Sequence, residues 1–144
     1  MAHAETIDLA GSCACGGVTF QIEASEIRPV LECHCHTCRK TSGHVWAAFA
    51  VHRHDLTFTC DDTLRWFDSS TIARRGFCSN CGSSLFYEKF DHDQISVAAG
   101  VLNAPTGLIC AGAICTDEAG DYYALAPGLT TVADATLRAE WALA

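Results

Sequence analysis

The sequence is short of basic residues. Its 144 residues carry 9 Lys and Arg against 17 Asp and Glu, for a formal charge of −8 with histidine neutral. A surface of that sign repels phosphate backbones and anionic headgroups, which argues against nucleic acid or acidic membrane as partners. The sequence also lacks any apolar run near the roughly 20 residues that cross a bilayer. Its start, residues 1–8, has neither a basic cluster nor an apolar stretch of signal-peptide length. The chain therefore reads as cytoplasmic, with no membrane partner. No internal repeat, low-complexity tract or linker interrupts it, and a hydrophobic content of 49% excludes a disordered chain. This length and composition predict a single domain over residues 1–144, large enough to bury a core.

Cysteine, in contrast, is abundant, with ten in the chain. Seven fall in three tight groups: Cys13 and Cys15, then Cys33, Cys35 and Cys38, then Cys78 and Cys81. In a reducing compartment a disulfide framework is disfavoured, and cysteines one residue apart are poor partners for each other. A Cys-x-x-Cys turn instead lets two thiolates converge on one tetrahedral ion, and a second pair from elsewhere completes the shell. Zinc is the expected ion. Two two-cysteine groups sum to one closed site, whereas a three-cysteine group leaves a fourth position free, unless His34 or His36 fills it. Cys60, Cys110 and Cys115 stand outside the groups and read as buried core thiols.

The remaining pattern is that of many short strands. Residues 18–22 alternate apolar and polar, and residues 45–51 are apolar throughout, as for a strand covered on both faces. Further strands are expected at 56–59, 64–67, 72–77, 84–88, 94–99 and within 108–115. One helical turn fits residues 37–42, ended by Gly43. Residues 1–10 show little pattern and read as a leader, with His3 expected to be disordered. Residues 131–144 predict a short C-terminal helix with Asp134 as its N-cap. Glycine and polar turns punctuate the strands throughout, which makes the fold class mostly β.

Three stretches carry a resemblance. Residues 11–20 (GSCACGGVTF), 33–43 (CHCHTCRKTSG) and 77–85 (FCSNCGSSL) are similar in order and spacing to the glutathione-dependent formaldehyde-activating enzyme family, whose domain is shared with centromere protein V. Residues 99–102 resemble the strand and turn that follow. The resemblance covers residues 11–105, and residues 106–144 diverge. Where the enzymes usually carry His followed shortly by Trp, residues 109–115 read ICAGAIC. The resemblance implies a β-tent zinc fold of short antiparallel strands. It also implies a structural zinc on Cys13, Cys15, Cys78 and Cys81, and a second zinc on Cys33, Cys35 and Cys38. The implied activity is carbon–sulfur lyase chemistry on an adduct of a small thiol such as glutathione with a small aldehyde such as formaldehyde.

Around the second cluster, His34 and His36 are candidate proton carriers because imidazole titrates near neutral pH. Arg39 and Lys40 are candidates for holding a carboxylate-bearing thiol, and Arg74 and Arg75 for offsetting thiolate charge. Trp46 and Phe49 read as core, with a pocket wall as the alternative. Two other functions compete with the lyase. One is a zinc-stabilised binding module in which both metals are structural. The other is redox repair, since methionine sulfoxide reductases share the β-tent, and it would need a reactive thiol away from zinc.

Overall fold

A computed structural model of the chain describes residues 5–144; the first four residues of the expected leader, His3 among them, lie outside the described residues. The strands are β1 (Ile7–Ser12), β2 (Thr19–Ala24), β3 (Arg28–Cys33), β4 (Trp46–His52), β5 (Leu56–Cys60), β6 (Leu64–Phe67), β7 (Ala73–Cys78), β8 (Ser84–Lys89), β9 (Gln94–Ala98), β10 (Cys110–Ile114) and β11 (Thr130–Val132). One helix, α1 (His36–Ser42), lies between β3 and β4. Its last turn closes on Gly43, whose left-handed φ of 87° lets its N–H reach the Arg39 carbonyl at 2.8 Å. Among the described residues, no helix is long and apolar enough to cross a membrane.

The strands form two sheets. β1, β2 and β5 make a small one, and the large one runs β11-β10-β3-β4-β9-β8-β7-β6. All pairs are antiparallel except those of β10, which lies parallel to β3 and to β11. This is the mostly β, tent-like fold that the cysteine motifs imply.

Period-two alternation assigns the two faces of the large sheet different jobs. One face, with Phe49, Val51, Phe86, Ile95 and Val97, packs on Phe20 and Ile22 of the small sheet. Phe86 lies at the centre of this layer, edge-on to Phe20 at 5.3 Å and to Phe58 at 5.5 Å. Each such ring withdrawn from water contributes about 1.5–3 kcal/mol. The opposite face carries Leu31, Ala48, Ser96 and Tyr87, which border a cavity. Residues 45–51 lack alternation because β4 is covered on both sides, by the core on one and the cavity wall on the other.

Two terminal segments differ from expectation. The leader is structured from Ile7 onward: β1 pairs with β2 from Ile7 to Ser12, and Leu9 is buried. At the other end there is no C-terminal α-helix. Thr130–Val132 joins the large sheet, as its β-branched run favours. The Asp134 carboxylate accepts from the Thr136 N–H at 2.8 Å, closing a local turn instead of capping a helix. What remains is too short to sustain a nucleus, and Ala139–Trp141 makes a single 3₁₀ turn. Its purpose is to seat Trp141, which is 6% exposed and lies over Gly112.

A methyl group at Gly112 would meet the Trp141 ring at 2.6 Å and the Thr130 carbonyl at 2.8 Å. Gly112→Ala is therefore expected to cost about 1–3 kcal/mol through overpacking. Urea unfolding measures that cost, and quenching of Trp141 fluorescence reports whether the tail has lifted.

The last residue is also tied down. The Glu26 carboxylate accepts from the Ala144 N–H at 3.2 Å and lies 2.9 Å from His52 Nε2. Hydrogen bonding to Glu26 raises His52 above its ordinary 6.5, helped by the charges of Asp93 and Asp55, and the same bond lowers Glu26 below 4.5. The His52 contribution is complete below pH 6.5 and is lost as pH rises through its raised value. The Glu26 contribution is complete above pH 4.5 and is lost as pH falls through its lowered value. The pair thus stabilises most fully between those two values. Glu26→Gln is expected to bring the His52 titration back down, which an NMR pH series follows directly.

Candidate metal centres

The first cluster joins the two sheets. Cys13 and Cys15 lie in the turn between β1 and β2, where Gly16 takes a φ of 80°. Cys78 ends β7, and Cys81 sits in the following knuckle, completed by Gly82 at φ 78°. All four sulfur atoms lie within 4.8 Å of one another, with Cys15 3.6 Å from both Cys13 and Cys78. A tetrahedral ion with metal–sulfur bonds of about 2.3 Å requires sulfur separations of roughly 3.8 Å, so the donor set fits.

The backbone is already arranged around thiolates at this cluster. Val18 N–H donates to Cys13 Sγ at 3.3 Å and Cys81 N–H to Cys78 Sγ at 3.4 Å. The Thr63 hydroxyl lies 3.1 Å from Cys78 Sγ and the Ser83 hydroxyl 3.2 Å from Cys81 Sγ. These hydroxyl contacts hold Cys78 below its usual range and bring Cys81 down to about 5. Burial pushes Cys13 the other way.

The second cluster sits at the end of β3 and the start of α1. Cys33 closes the strand, Cys35 is the helix N-cap, and Cys38 is buried in the first turn. Their sulfur atoms also fall within 4.8 Å of one another. Cys38 N–H donates to Cys35 Sγ at 3.3 Å, the same N–H···S knuckle as at Cys78. Arg75 Nη2 donates to Cys38 Sγ at 3.4 Å. The Cys33 thiol and burial push Cys38 well up, against the pull of Arg75. Burial also raises Cys35. Three crowded sulfurs of this kind become anionic together only beside a cation, which suits a metal-binding role.

Beside this cluster opens a cavity of about 610 Å³, bordered by Cys33, Cys35, Cys38, Trp46, Arg28 and Arg75 among others. Trp46 therefore forms wall, while Phe49 is fully buried core. None of the first cluster's cysteines borders this cavity; Cys13 and Cys78 are buried among backbone turns and hydroxyls, and Cys15 and Cys81 lie at the surface.

Neither histidine joins the sulfur atoms. His34 is 2% exposed, with Nδ1 2.7 Å from the Tyr123 hydroxyl and Nε2 3.4 Å from the Glu32 carboxylate. Tyr123 in turn accepts from Gly120 N–H at 3.1 Å. His36 points outward, its Nδ1 2.7 Å from Glu118. Arg39 is spent on the backbone, donating to the carbonyls of His34 at 3.3 Å and Glu118 at 3.0 Å, and Lys40 is exposed. Neither borders the cavity; Arg28 and Arg75 do. Arg74 pairs with Glu88 at 2.7 Å and lies over Trp66.

Of the three outlying cysteines, only Cys115 is buried; Cys60 is half-buried and Cys110 exposed, so these two are not core. Cys115 borders the cavity in a left-handed conformation, φ 56°. Burial raises its thiol to about 11, against a hydrogen bond with Cys33. Parallel pairing of Ile114 with Cys33 brings it there, a long-range register no spacing rule could give.

Fold and site together define a β-tent protein with two cysteine-rich candidate metal centres, one of four sulfurs and one of three beside a cavity. A family model described as glutathione-dependent formaldehyde-activating enzyme matches residues 8–124, and the chain belongs to that family. The match continues past residue 105, where the motif-level resemblance ends, through β10 to Ala124. Among curated relatives, an uncharacterized lyase of Schizosaccharomyces pombe is 25% identical over 115 residues, covering 78% of this chain and 82% of that protein. A Halomonas elongata protein, provisionally named a glutathione-dependent formaldehyde-activating enzyme, is 32% identical over 87 residues, 54% of each chain. A solved Rhodobacter sphaeroides structure superposes with a TM-score of 0.55 at 22% identity, covering 66% of this chain and 88% of that one, a likeness of fold.

The two clusters should fail differently. Cys78→Ser, which breaks the join between the sheets, is expected to abolish the cooperative thermal transition. Cys38→Ser is expected to keep it, with a loss of no more than about 1–3 kcal/mol for an altered buried polar group. Circular dichroism melts read both variants.

Proposed function

We propose that the chain is a zinc-dependent carbon–sulfur lyase that makes or breaks the adduct of a small thiol with a small aldehyde, S-hydroxymethylglutathione being the family example. The observation that carries this reading is the contrast between the clusters: four convergent thiols, which complete a tetrahedral shell by themselves, and three convergent thiols that border a 610 Å³ cavity. Four thiolates suit a structural zinc, and three leave the ion one exchangeable position. Cys13, Cys15, Cys78 and Cys81 would hold the first ion, and Cys33, Cys35 and Cys38 the second. A zinc ion at the second position supplies positive charge that favours the thiolate form of a substrate thiol at neutral pH.

The chain's own residues would then do the rest. The cavity excludes bulk water and brings the two substrates together, converting a bimolecular encounter into a local one. The thiolate sulfur attacks the aldehyde carbon, a carbon–sulfur bond forms, and the carbonyl π pair moves to oxygen. The proton given up by the thiol returns to that oxygen, so the reaction is balanced without a further reactant. Glu118, which borders the cavity and is paired to His36, is the proposed carrier of that proton. A soluble thiol of this kind fits a reducing, cytoplasmic setting.

One observation favours a second reading, a binding module with both metals structural. Cys115 borders the cavity next to the Ile114–Cys33 pairing, so a shift of its thiol toward the cluster would supply a fourth sulfur and close the open position. Metal analysis separates the two. The lyase reading expects two zinc ions per chain, one released by a weak chelator, and no change in that release in Cys115→Ser. Exchange NMR of glutathione with formaldehyde is expected to show interconversion faster than the spontaneous rate, lost in Cys38→Ser. Equal resistance of both ions to chelation, or no acceleration, would sink the lyase.

A further inference from the structure

We propose that Arg28 and Arg75 form a carboxylate-binding subsite in the cavity wall, so that the ligand reaching Cys33, Cys35 and Cys38 is an acid. The inference rests on the lyase reading for what happens at the sulfur end, and adds what the other end carries. Its foundation is a set of donors without acceptors. Arg75 is 8% exposed, yet its Nε and Nη1 have no hydrogen-bond partner in the protein, and the same holds for Arg28 Nε and Trp46 Nε1. All three residues border the cavity. Buried polar groups are almost always satisfied, and a buried cation without a counter-charge costs more than a neutral donor.

The chain's own acids do not fill that need. Glu88 is bound by Arg74 at 2.7 Å and faced by Arg53 at 3.8 Å, and Glu118 is held by His36 at 2.7 Å. Arg28 spends one donor on the Ala48 carbonyl at 2.8 Å, and Arg75 spends one on Cys38 Sγ at 3.4 Å. Arg75 also lies over two rings, with Tyr87 at 5.1 Å and Trp46 at 5.7 Å from its guanidinium carbon. Its unpartnered Nε and Nη1 are donors of the planar group whose fork matches a carboxylate. In a chain with nine Lys and Arg, three of them (Arg28, Arg75 and Lys89) border this one cavity. Because Arg75 touches Cys38 as well, the anionic group lies within one guanidinium width of the sulfur cluster. The ligand is therefore short between its reacting atom and its carboxylate.

That carboxylate can belong to the thiol or to the aldehyde, and the same donors would hold either. Titration calorimetry on the zinc-loaded full chain tests both sources with matched probes: mercaptoacetate against 2-mercaptoethanol, and glyoxylate against acetaldehyde. In at least one pair the acid is expected to bind about 10- to 100-fold more tightly, the range of hydrogen bonds to a charged group. Arg75→Gln is expected to erase that preference and leave the neutral probe unchanged, with Arg28→Gln reducing it. Equal affinity of acid and neutral probes in both pairs overturns the subsite, as does an Arg75→Gln variant that weakens both members alike. Should Arg75→Gln fail to fold, the wild-type comparison still decides. Acid-selective binding without catalysis of glutathione–formaldehyde exchange removes the lyase and keeps the subsite. Catalysis indifferent to the carboxylate does the reverse.

Discussion

The structure depends on one constraint, the convergence of four sulfur atoms from residues more than sixty positions apart. Cys13 and Cys15 belong to the turn of the small sheet, and Cys78 and Cys81 to the β7–β8 knuckle of the large one. The aromatic layer around Phe86 holds the two sheets face to face, but a layer of side chains tolerates sliding. A tetrahedral ion on these four sulfurs would not. The N–H···S bonds from Val18 and Cys81 extend that precision into the backbone on both sides. Distances elsewhere on the large sheet, including those at its far face, inherit their reference from this corner.

On that far face the physics reverses. Side chains pointing to the small sheet are apolar and closely packed, whereas their neighbours one residue along the strand include Arg28, Arg75 and Tyr87. Placing two guanidinium groups there is expensive: burial pulls Arg28 down to about 10 even with the Cys33 charge acting to raise it. A wall of this kind reads as a recognition surface, since packing alone would have been served better by Leu or Val.

Much of this was legible in the sequence, and the reasons divide cleanly. Local apolar pattern located β2 and β4 to β10, because each needs only its own residues, and Gly43 announced the end of α1, while β1 lay hidden in the apparent leader. The sulfur partition was legible because ligand spacing is a local property of turns. What escaped was non-local. Nothing in residues 131–144 says that Thr130–Val132 will find an edge beside β10, so an Ala- and Leu-containing tail resembled a helix. His34 and His36 drew notice by adjacency to cysteine, yet one is turned to Tyr123 and the other to Glu118, eighty-odd residues away. Arg39 and Lys40 drew it likewise, while the cavity took Arg28 and Arg75 from two other strands. A lone cation preceding the apolar Val30-Leu31 pair was the available sign for Arg28.

The parallel insertion of β10 between β3 and β11 has a consequence for how such a protein can change. The sulfur ligands come entirely from residues 13–81, but Cys115 and Glu118 on the cavity rim, and the Tyr123 that buttresses His34, come from the segment that follows Leu102. The segment after Leu102 thus adds one side of the cavity rim and none of the candidate sulfur ligands. Substitutions in the later stretch can reshape that side of the rim without touching a candidate metal ligand, so lineages sharing the cysteine framework are free to vary there while Arg28, Trp46 and Arg75 stay in place.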